Sequence, residues 1–159
     1  MADVFSKAKL SQVMSRIRGR GNISTELTLA RLFRQNGIKG WRRHLRLPGT
    51  PDFAFQETRI AVFVDGCFWH GCPRCFSPPK ANRKFWDEKM SRNRLRDRRV
   101  NSEMRRRGWF VLRVWEHQLP NPSSVIRRIT RNLILFSVKS TQFSSTLLSF
   151  SLADLPLHK

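Results

Sequence analysis

Ile60-Ala61-Val62-Phe63-Val64-Asp65-Gly66 decides how the rest of the chain is read. Five consecutive apolar residues without polar alternation fit a central strand buried on both faces. The run ends at Asp65-Gly66. Just before it, Gln56-Glu57-Thr58 forms a turn, and Phe53-Ala54-Phe55 reads as a second short strand. Residues 41–47 are expected to form another strand, ended by the turn signal Leu47-Pro48-Gly49.

Outward toward the C-terminus, residues 66–82 form an irregular loop with every cysteine of the chain, His70 and three prolines. A long helix is expected over about 83–106. Its stripe of Trp86, Met90, Asn93, Asp97, Val100 and Met104 steps by fours and threes, so Asp97 points inward. Gly108 ends this helix. Trp109 through Trp115 reads as another core strand, with Glu116-His117 at its end. Pro120 to Pro122 break the chain, and a closing helix covers 123–136. Toward the N-terminus, Asn22 and Ser24 offer caps to a helix over about 25–36. A basic amphipathic helix is expected over 8–19. The last stretch, 137–159, is Ser/Thr-rich with no convincing helical period, and reads as a loosely attached tail. The chain has no internal repeats. Helices before, between and after a few strands imply an α/β layer structure. Its chemistry would sit in loops at strand ends.

The 159 residues suit one domain, here residues 1–136 followed by the tail. Twelve Phe and five Trp suffice for a packed interior. The charge is extreme, with 31 Lys and Arg against 11 acids, a net +20. Such a field draws polyanions, and phosphate is the first expectation. An anionic membrane surface would call for a basic amphipathic segment with a continuous apolar face. Here the Arg residues spread along the whole chain, which fits a nucleic-acid cleft better. There is no signal-peptide core and no run of transmembrane length, so a cytoplasmic protein is expected. Cys67, Cys72 and Cys75 fall within nine residues, an odd and clustered set. That pattern suggests thiols or a metal site rather than a disulfide framework.

With so few acids, those at strand ends are informative. Asp52 opens the Phe-Ala-Phe strand and Asp65 closes the next one. Antiparallel pairing would bring them near each other. Magnesium takes one or two carboxylates and can stabilise charge on a phosphodiester. The plain alternative is two turn-capping aspartates, and spacing leaves both open. His70 could accept a proton near neutral pH, or be an ordinary loop histidine. Cys72-Pro73-Arg74-Cys75 sits in a long loop, which favours metal over redox use. A closed zinc site needs four ligands. Cys72, Cys75, Asp97 and His117 would supply them. Two free thiols, with Asp97 paired to a neighbouring Arg, fit the spacing equally. Phe68, Trp69 and Trp86 are aromatics that could wedge between base steps or simply pack in the core.

Together these segments resemble the very-short-patch-repair (Vsr) mismatch endonucleases. The resemblance rests on Leu47-Pro48-Gly49-Thr50-Pro51-Asp52-Phe53, on Val62 through Pro73 with its Gly-Cys-Phe-Trp-His string, and on Asn82 through Trp86. Lys89, Asn93, Arg96 through Arg99, Val114-Trp115-Glu116 and, upstream, Met-Ser-Arg-Ile-Arg and Thr25-Glu26-Leu27 extend it over about residues 1–135. It implies a restriction-endonuclease-like fold with a mixed sheet between helices. It implies magnesium-dependent nicking on the 5′ side of the thymine in a T·G mispair, the product of 5-methylcytosine deamination. Asp52 and the Val64 main-chain carbonyl would hold the magnesium. His70 would be general base or phosphate contact, and Glu26 would stand near the site. Phe68, Trp69 and Trp86 would enter the duplex, and residues 1–20 would clasp it from the other side.

Such a protein would act as a monomer near the nucleoid. Its functional partners would be mismatch-repair proteins and a cytosine methyltransferase. Two departures stand out. The Cys and His of the zinc site are exchanged at Cys75 and His117, and an acid, Asp65, stands where some members carry His. The chain also lacks the usual restriction-enzyme lysine, whose task would pass to His70. The competing readings are a restriction enzyme cutting both strands and a non-catalytic zinc-containing DNA-binding protein.

Overall fold

The computed structural model describes residues 21–80 and 82–150. Four strands form one sheet: β1 (Trp41–Arg43), β2 (Phe53–Phe55), β3 (Ile60–Asp65) and β4 (Phe110–Trp115). Their spatial order is β1-β2-β3-β4. β1 and β2 are antiparallel, as are β2 and β3, whereas β4 runs parallel to β3. A parallel pair needs a long crossover. The helix α2 (Arg83–Arg106) lies within the connection from β3 to β4. The other helices are α1 (Thr28–Gln35) and α3 (Ser123–Phe150).

All six residues of β3 are buried, as its unbroken apolar run predicts. Side-chain alternation sorts them to two faces. Ile60, Val62 and Val64 join Leu29 and Phe33 of α1 and Val125 and Ile129 of α3 in the larger core. Ala61 and Phe63 face the other way, onto Met104 of α2 with Val100 and Trp109 beside it. The sheet is therefore sandwiched between helices. Phe33 meets Phe53 edge-on at 5.0 Å between ring centroids, and Trp41 meets Phe53 at 5.4 Å. These contacts fix the start of β2, and so fix Asp52 immediately before it.

The expected strand over 41–47 is shorter, because His44 takes a positive φ of 52° and turns the chain. The helix expected over 25–36 begins instead with a π-helical turn, Ile23–Leu27, closed by Leu27 N–H donating to the Asn22 carbonyl. The wider turn buries the neighbouring Thr25 and Glu26 together. The helix over 83–106 stands where the apolar stripe put it, with Trp86, Met90 and Met104 buried. The closing helix does not stop at 136. It runs on to Phe150, since Ser and Thr lower helix propensity only slightly and no Pro or Gly interrupts it. The expected helix over 8–19, the clasping segment 1–20 and residues 151–159 lie outside the described residues.

Gly49 is the tightest point of the Leu47-Pro48-Gly49 turn. Its φ is +73°, and a Cβ there would stand 2.4 Å from Cγ1 of Val100 on α2. Gly49→Ala is expected to cost about 1–3 kcal/mol, from left-handed strain plus overpacking. Urea denaturation measures it, and a loss below about 0.5 kcal/mol would show that the turn does not press on α2.

Candidate functional site

A cleft of about 490 Å³ opens at the ends of β2 and β3. Glu26, Asp52, Asp65, Trp69, His70 and Asp97 all contribute to its lining. Antiparallel pairing of β2 with β3 brings Asp52 beside Val64, whose N–H donates to Asp52 Oδ2 at 2.7 Å.

Four carboxylates therefore share one region, and three of them have cationic partners. Glu26, only 2% exposed, accepts from Arg43 Nε at 2.5 Å and from the Gly21 N–H at 2.6 Å, with His44 Nε2 at 2.9 Å. Asp65, also 2% exposed, accepts on both oxygens from Arg113 Nη1 at 2.9 Å. Asp97 accepts from Arg113 Nη2 at 3.2 Å, and its Oδ2 lies 2.8 Å from His70 Nδ1. Asp52 has the Val64 N–H and no ion pair among the described residues.

The titration behaviour follows this inventory. Burial pushes Asp52 from its ordinary 3.8 up to about 6; the Val64 N–H opposes the rise, and the charges of Glu26 and Asp65 add to it. Burial also raises Asp65, against the pull of Arg113 and His70. Burial works the same way on Asp97, but His70 and Arg113 outweigh it and hold that carboxyl below its ordinary value. A half-buried carboxylate among like charges and short of donors is suited to a divalent cation, whose binding would relieve both burdens.

The loop after β3 carries a second constellation. Cys67, Cys72, Cys75 and His117 each offer a ligand atom, all within 4.8 Å of one another. His117 Nδ1 lies 3.2 Å from Cys67 Sγ and 3.5 Å from Cys72 Sγ. Tetrahedral zinc with bonds of about 2.3 Å to sulfur and about 2.0 Å to nitrogen sets ligand atoms roughly 3.5–3.8 Å apart. The donor set and its spacing fit such an ion. Burial pushes the Cys67 thiol up to about 11. Cys72 is also buried, yet the N–H groups of Arg74 and Cys75 hold it below its ordinary value.

The four-ligand set read from the sequence needs correction at one position. Asp97 is not in the cluster: its oxygens are taken by His70 and Arg113, and Cys67 stands in its place. An inward carboxylate on α2 needs a partner, but it meets a histidine and a guanidinium there, not the thiols. The signal for Cys67 is the clustering of all three cysteines within nine residues, which the C-x-x-C pair alone does not capture. Arg43, His44 and Arg113 had no sequence signal among so many basic residues.

The aromatic residues form a chain of edge-on contacts. Phe68 meets Trp69 at 5.0 Å and Trp86 at 5.1 Å. Phe68 and Trp69 are half-buried at the surface. Trp86 is 1% exposed and backs Phe68 from inside, so it does not stand at the surface where a wedge would. Lys89 Nζ sits over both Trp69 and Trp86, at 5.7 and 5.5 Å. The loop is tied to α2 by Asn93 Nδ2 donating to the Trp69 carbonyl at 2.8 Å and Arg94 Nη2 donating to the Gly71 carbonyl at 3.1 Å. No helix among the described residues is long and apolar enough to cross a membrane.

A small mixed sheet between helices, with acids and a histidine gathered at its strand ends, defines a protein of the restriction-endonuclease-like class. Residues 2–75 match the family model described as DNA mismatch endonuclease Vsr. The chain is 42% identical over 118 residues to the DNA mismatch endonuclease Vsr of Escherichia coli (strain K12), covering 73% of this chain and 74% of that protein. It is 34% identical over 137 residues to the type II nicking enzyme V.XorIIP of Xanthomonas oryzae pv. oryzae, covering 84% and 98%. A stretch of 68 residues is 50% identical to the type II nicking enzyme V.NaeI of Lentzea aerocolonigenes, spanning only 41% of that relative's length. The chain belongs to the Vsr family of DNA mismatch endonucleases.

The two ligand sets are separated by metal content. Cys67→Ser should lose most of the metal carried by protein purified without chelators, while Asp97→Ala should keep it. Elemental analysis reads this directly. Full metal retention by Cys67→Ser with loss in Asp97→Ala would restore the original set.

Proposed function

We propose that this chain is a magnesium-dependent endonuclease that nicks one strand of double-stranded DNA on the 5′ side of the thymine in a T·G mispair. The observation that carries the reading is Asp52: a cleft carboxylate raised to about 6, short of donors, and sharing its cleft with His70 and Trp69. The activities for which the relatives are named, mismatch endonuclease and nicking enzyme, point the same way.

Asp52 and the Val64 main-chain carbonyl would hold the magnesium, which when bound neutralises charge developing on the phosphodiester. His70 takes the proton from the attacking water. Its Nδ1 is engaged by Asp97, which leaves Nε2 for that task. Glu26, tied to Arg43 and His44, shapes the field around Asp52 without being free to move. Phe68 and Trp69 lead the wedge at the mispair, where unstacking costs least, and Trp86 is the ring behind them. Zinc held by Cys67, Cys72, Cys75 and His117 fixes the wedge loop to the end of β4. The +20 charge gathers phosphate, so affinity should fall at least about 10-fold between 50 and 200 mM salt.

Asp52→Asn separates charge from shape. Nicking should fall on the order of 10³-fold, since several kcal/mol of charge stabilisation is lost. Binding to mismatched duplex should persist. The folded state holds the Asp52 proton more tightly than the unfolded chain does. The contribution of Asp52 itself to stability is therefore greatest below about pH 4 and is lost as pH rises through about 6. In metal-free buffer at pH 7.5, Asp52→Asn should accordingly be more stable than the parent, by about 2–3 kcal/mol. Magnesium should raise the melting temperature of the parent and not of the variant. Undiminished nicking by Asp52→Asn would remove the assignment.

A further inference from the structure

Arg113 lies in β4, paired with Phe63 in the β3 register, and every nitrogen of its guanidinium is engaged. Nη1 donates to both oxygens of Asp65 at 2.9 Å, Nη2 to Asp97 Oδ1 at 3.2 Å, and Nε to Asn101 Oδ1 at 3.2 Å. Its Cζ sits 5.0 Å from the centroid of the Phe63 ring. The guanidinium is thus packed on one face and fixed at its donors, joining two acids from different elements.

Both acids also face the same imidazole nitrogen. His70 Nδ1 is 2.8 Å from Asp97 Oδ2 and 3.6 Å from Asp65 Oδ1. One N–H cannot be donated well to two carboxylates in different directions. Asp65 is almost fully buried, and a buried carboxylate without a partner is costly, so it takes the nearest donor. Arg113 supplies that donor on both oxygens. It also takes the Asp97 oxygen that His70 does not use, which aims Oδ2 at Nδ1. The choice between the two acids is therefore set by Arg113.

We propose that Arg113 is a positioning residue: it restrains Asp65 and orients Asp97, so that His70 donates Nδ1–H to Asp97 and presents Nε2 to the cleft. In this arrangement Asp65 is the counter-ion of Arg113 and holds no metal. The idea rests on His70 acting as the base, in the reading above. Without Arg113, Asp65 turns to His70 Nδ1 and rotates the ring away from its working direction. A displacement of about 1 Å at a reacting group can cost about 100-fold.

Arg113→Gln should lower kcat for nicking a T·G duplex about 10- to 100-fold, with Kd for that duplex changed less than 2-fold. Arg113→Lys should recover part of the loss, because one ammonium can satisfy Asp65 but not both acids at once. The deciding variant is Arg113→Gln/Asp65→Asn: removal of the competing charge should restore at least 10-fold over Arg113→Gln alone. A merely structural role predicts further loss in the double variant, and that result would overturn the proposal. So would an unchanged kcat in Arg113→Gln. If Arg113→Gln does not fold, the lysine variant with and without Asp65→Asn answers the same question. Imidazole 15N NMR, with His70 assigned through His70→Gln, reads the device without activity. The Nδ1–H proton should resonate alike in the parent and the double variant and shift in Arg113→Gln, where its acceptor changes from Asp97 to Asp65; an unshifted Nδ1–H in Arg113→Gln would overturn the proposal. If Asp52→Asn left nicking intact, the catalytic reading would fall while this spectrum still judged Arg113.

Discussion

Burying negative charge in a molecule this basic is the constraint around which the cleft is arranged. Isolated carboxylates in a poorly solvated site cost several kcal/mol each unless donors meet them. Glu26 is met by Arg43, His44 and a backbone N–H. Asp65 and Asp97 are met by Arg113 and His70. Asp52 is met by one backbone N–H. Compensation is therefore uneven, and the unevenness is what gives the cleft a chemical direction. A cation entering it finds one carboxylate short of partners, flanked by others already committed. Burial, with no ion pair among the described residues to offset it, is what lifts Asp52 to about 6.

The fold supplies this arrangement by ordinary means. Alternation along β3 sends Val62 and Val64 into one core and Ala61 and Phe63 into the other. The same parity places Asp65 on the α2 side, where Asp97 waits one stripe position after Asn93. Parallel pairing of β3 with β4 then brings Arg113 between the two acids. Antiparallel pairing of β2 with β3 brings Asp52 to the Val64 N–H. Each functional side chain is held by an element whose formation is settled by packing elsewhere, which is how a site stays within a fraction of an ångström of its working geometry.

Much of this was legible in the chain itself. The apolar run of β3, the stripe of α2 and the placement of Asp52 and Asp65 at strand ends follow from periodicity and turn chemistry. What periodicity cannot deliver is the identity of a partner. It put Asp97 on an inward face, but whether an inward carboxylate meets a metal or a guanidinium depends on which strand crosses beneath it. That is a tertiary fact, and the choice of metal ligand failed there. Arg113 was invisible for a related reason: with 31 Lys and Arg in the chain, no single one stands out by spacing. The π turn at Ile23–Leu27 was missed because it differs from an α-helix by one residue in the hydrogen-bond ring, a difference no side-chain pattern announces. Likewise, a Ser/Thr-rich composition at 137–150 describes weak helix preference, not its absence.

The loop after β3 shows how the two chemical regions depend on each other. Phe68, Trp69 and His70 lie between Cys67 and Cys72, so one short segment carries the imidazole, two half-buried rings and two of the ligand atoms. Asn93 and Arg94 of α2 hold its carbonyls from below, and His117 holds it from the end of β4. On the proposed function, rings entering between base steps would have to bear an unstacking load of a few kcal/mol without yielding. A loop of this length has no core of its own with which to resist. A zinc ion held by the four ligand atoms would cross-link it to the end of β4 and pass that load to the strand that also carries Arg113. On that reading, stiffness at the rings and aim at the imidazole would both come from the same strand, and a distortion that loosened one would misdirect the other.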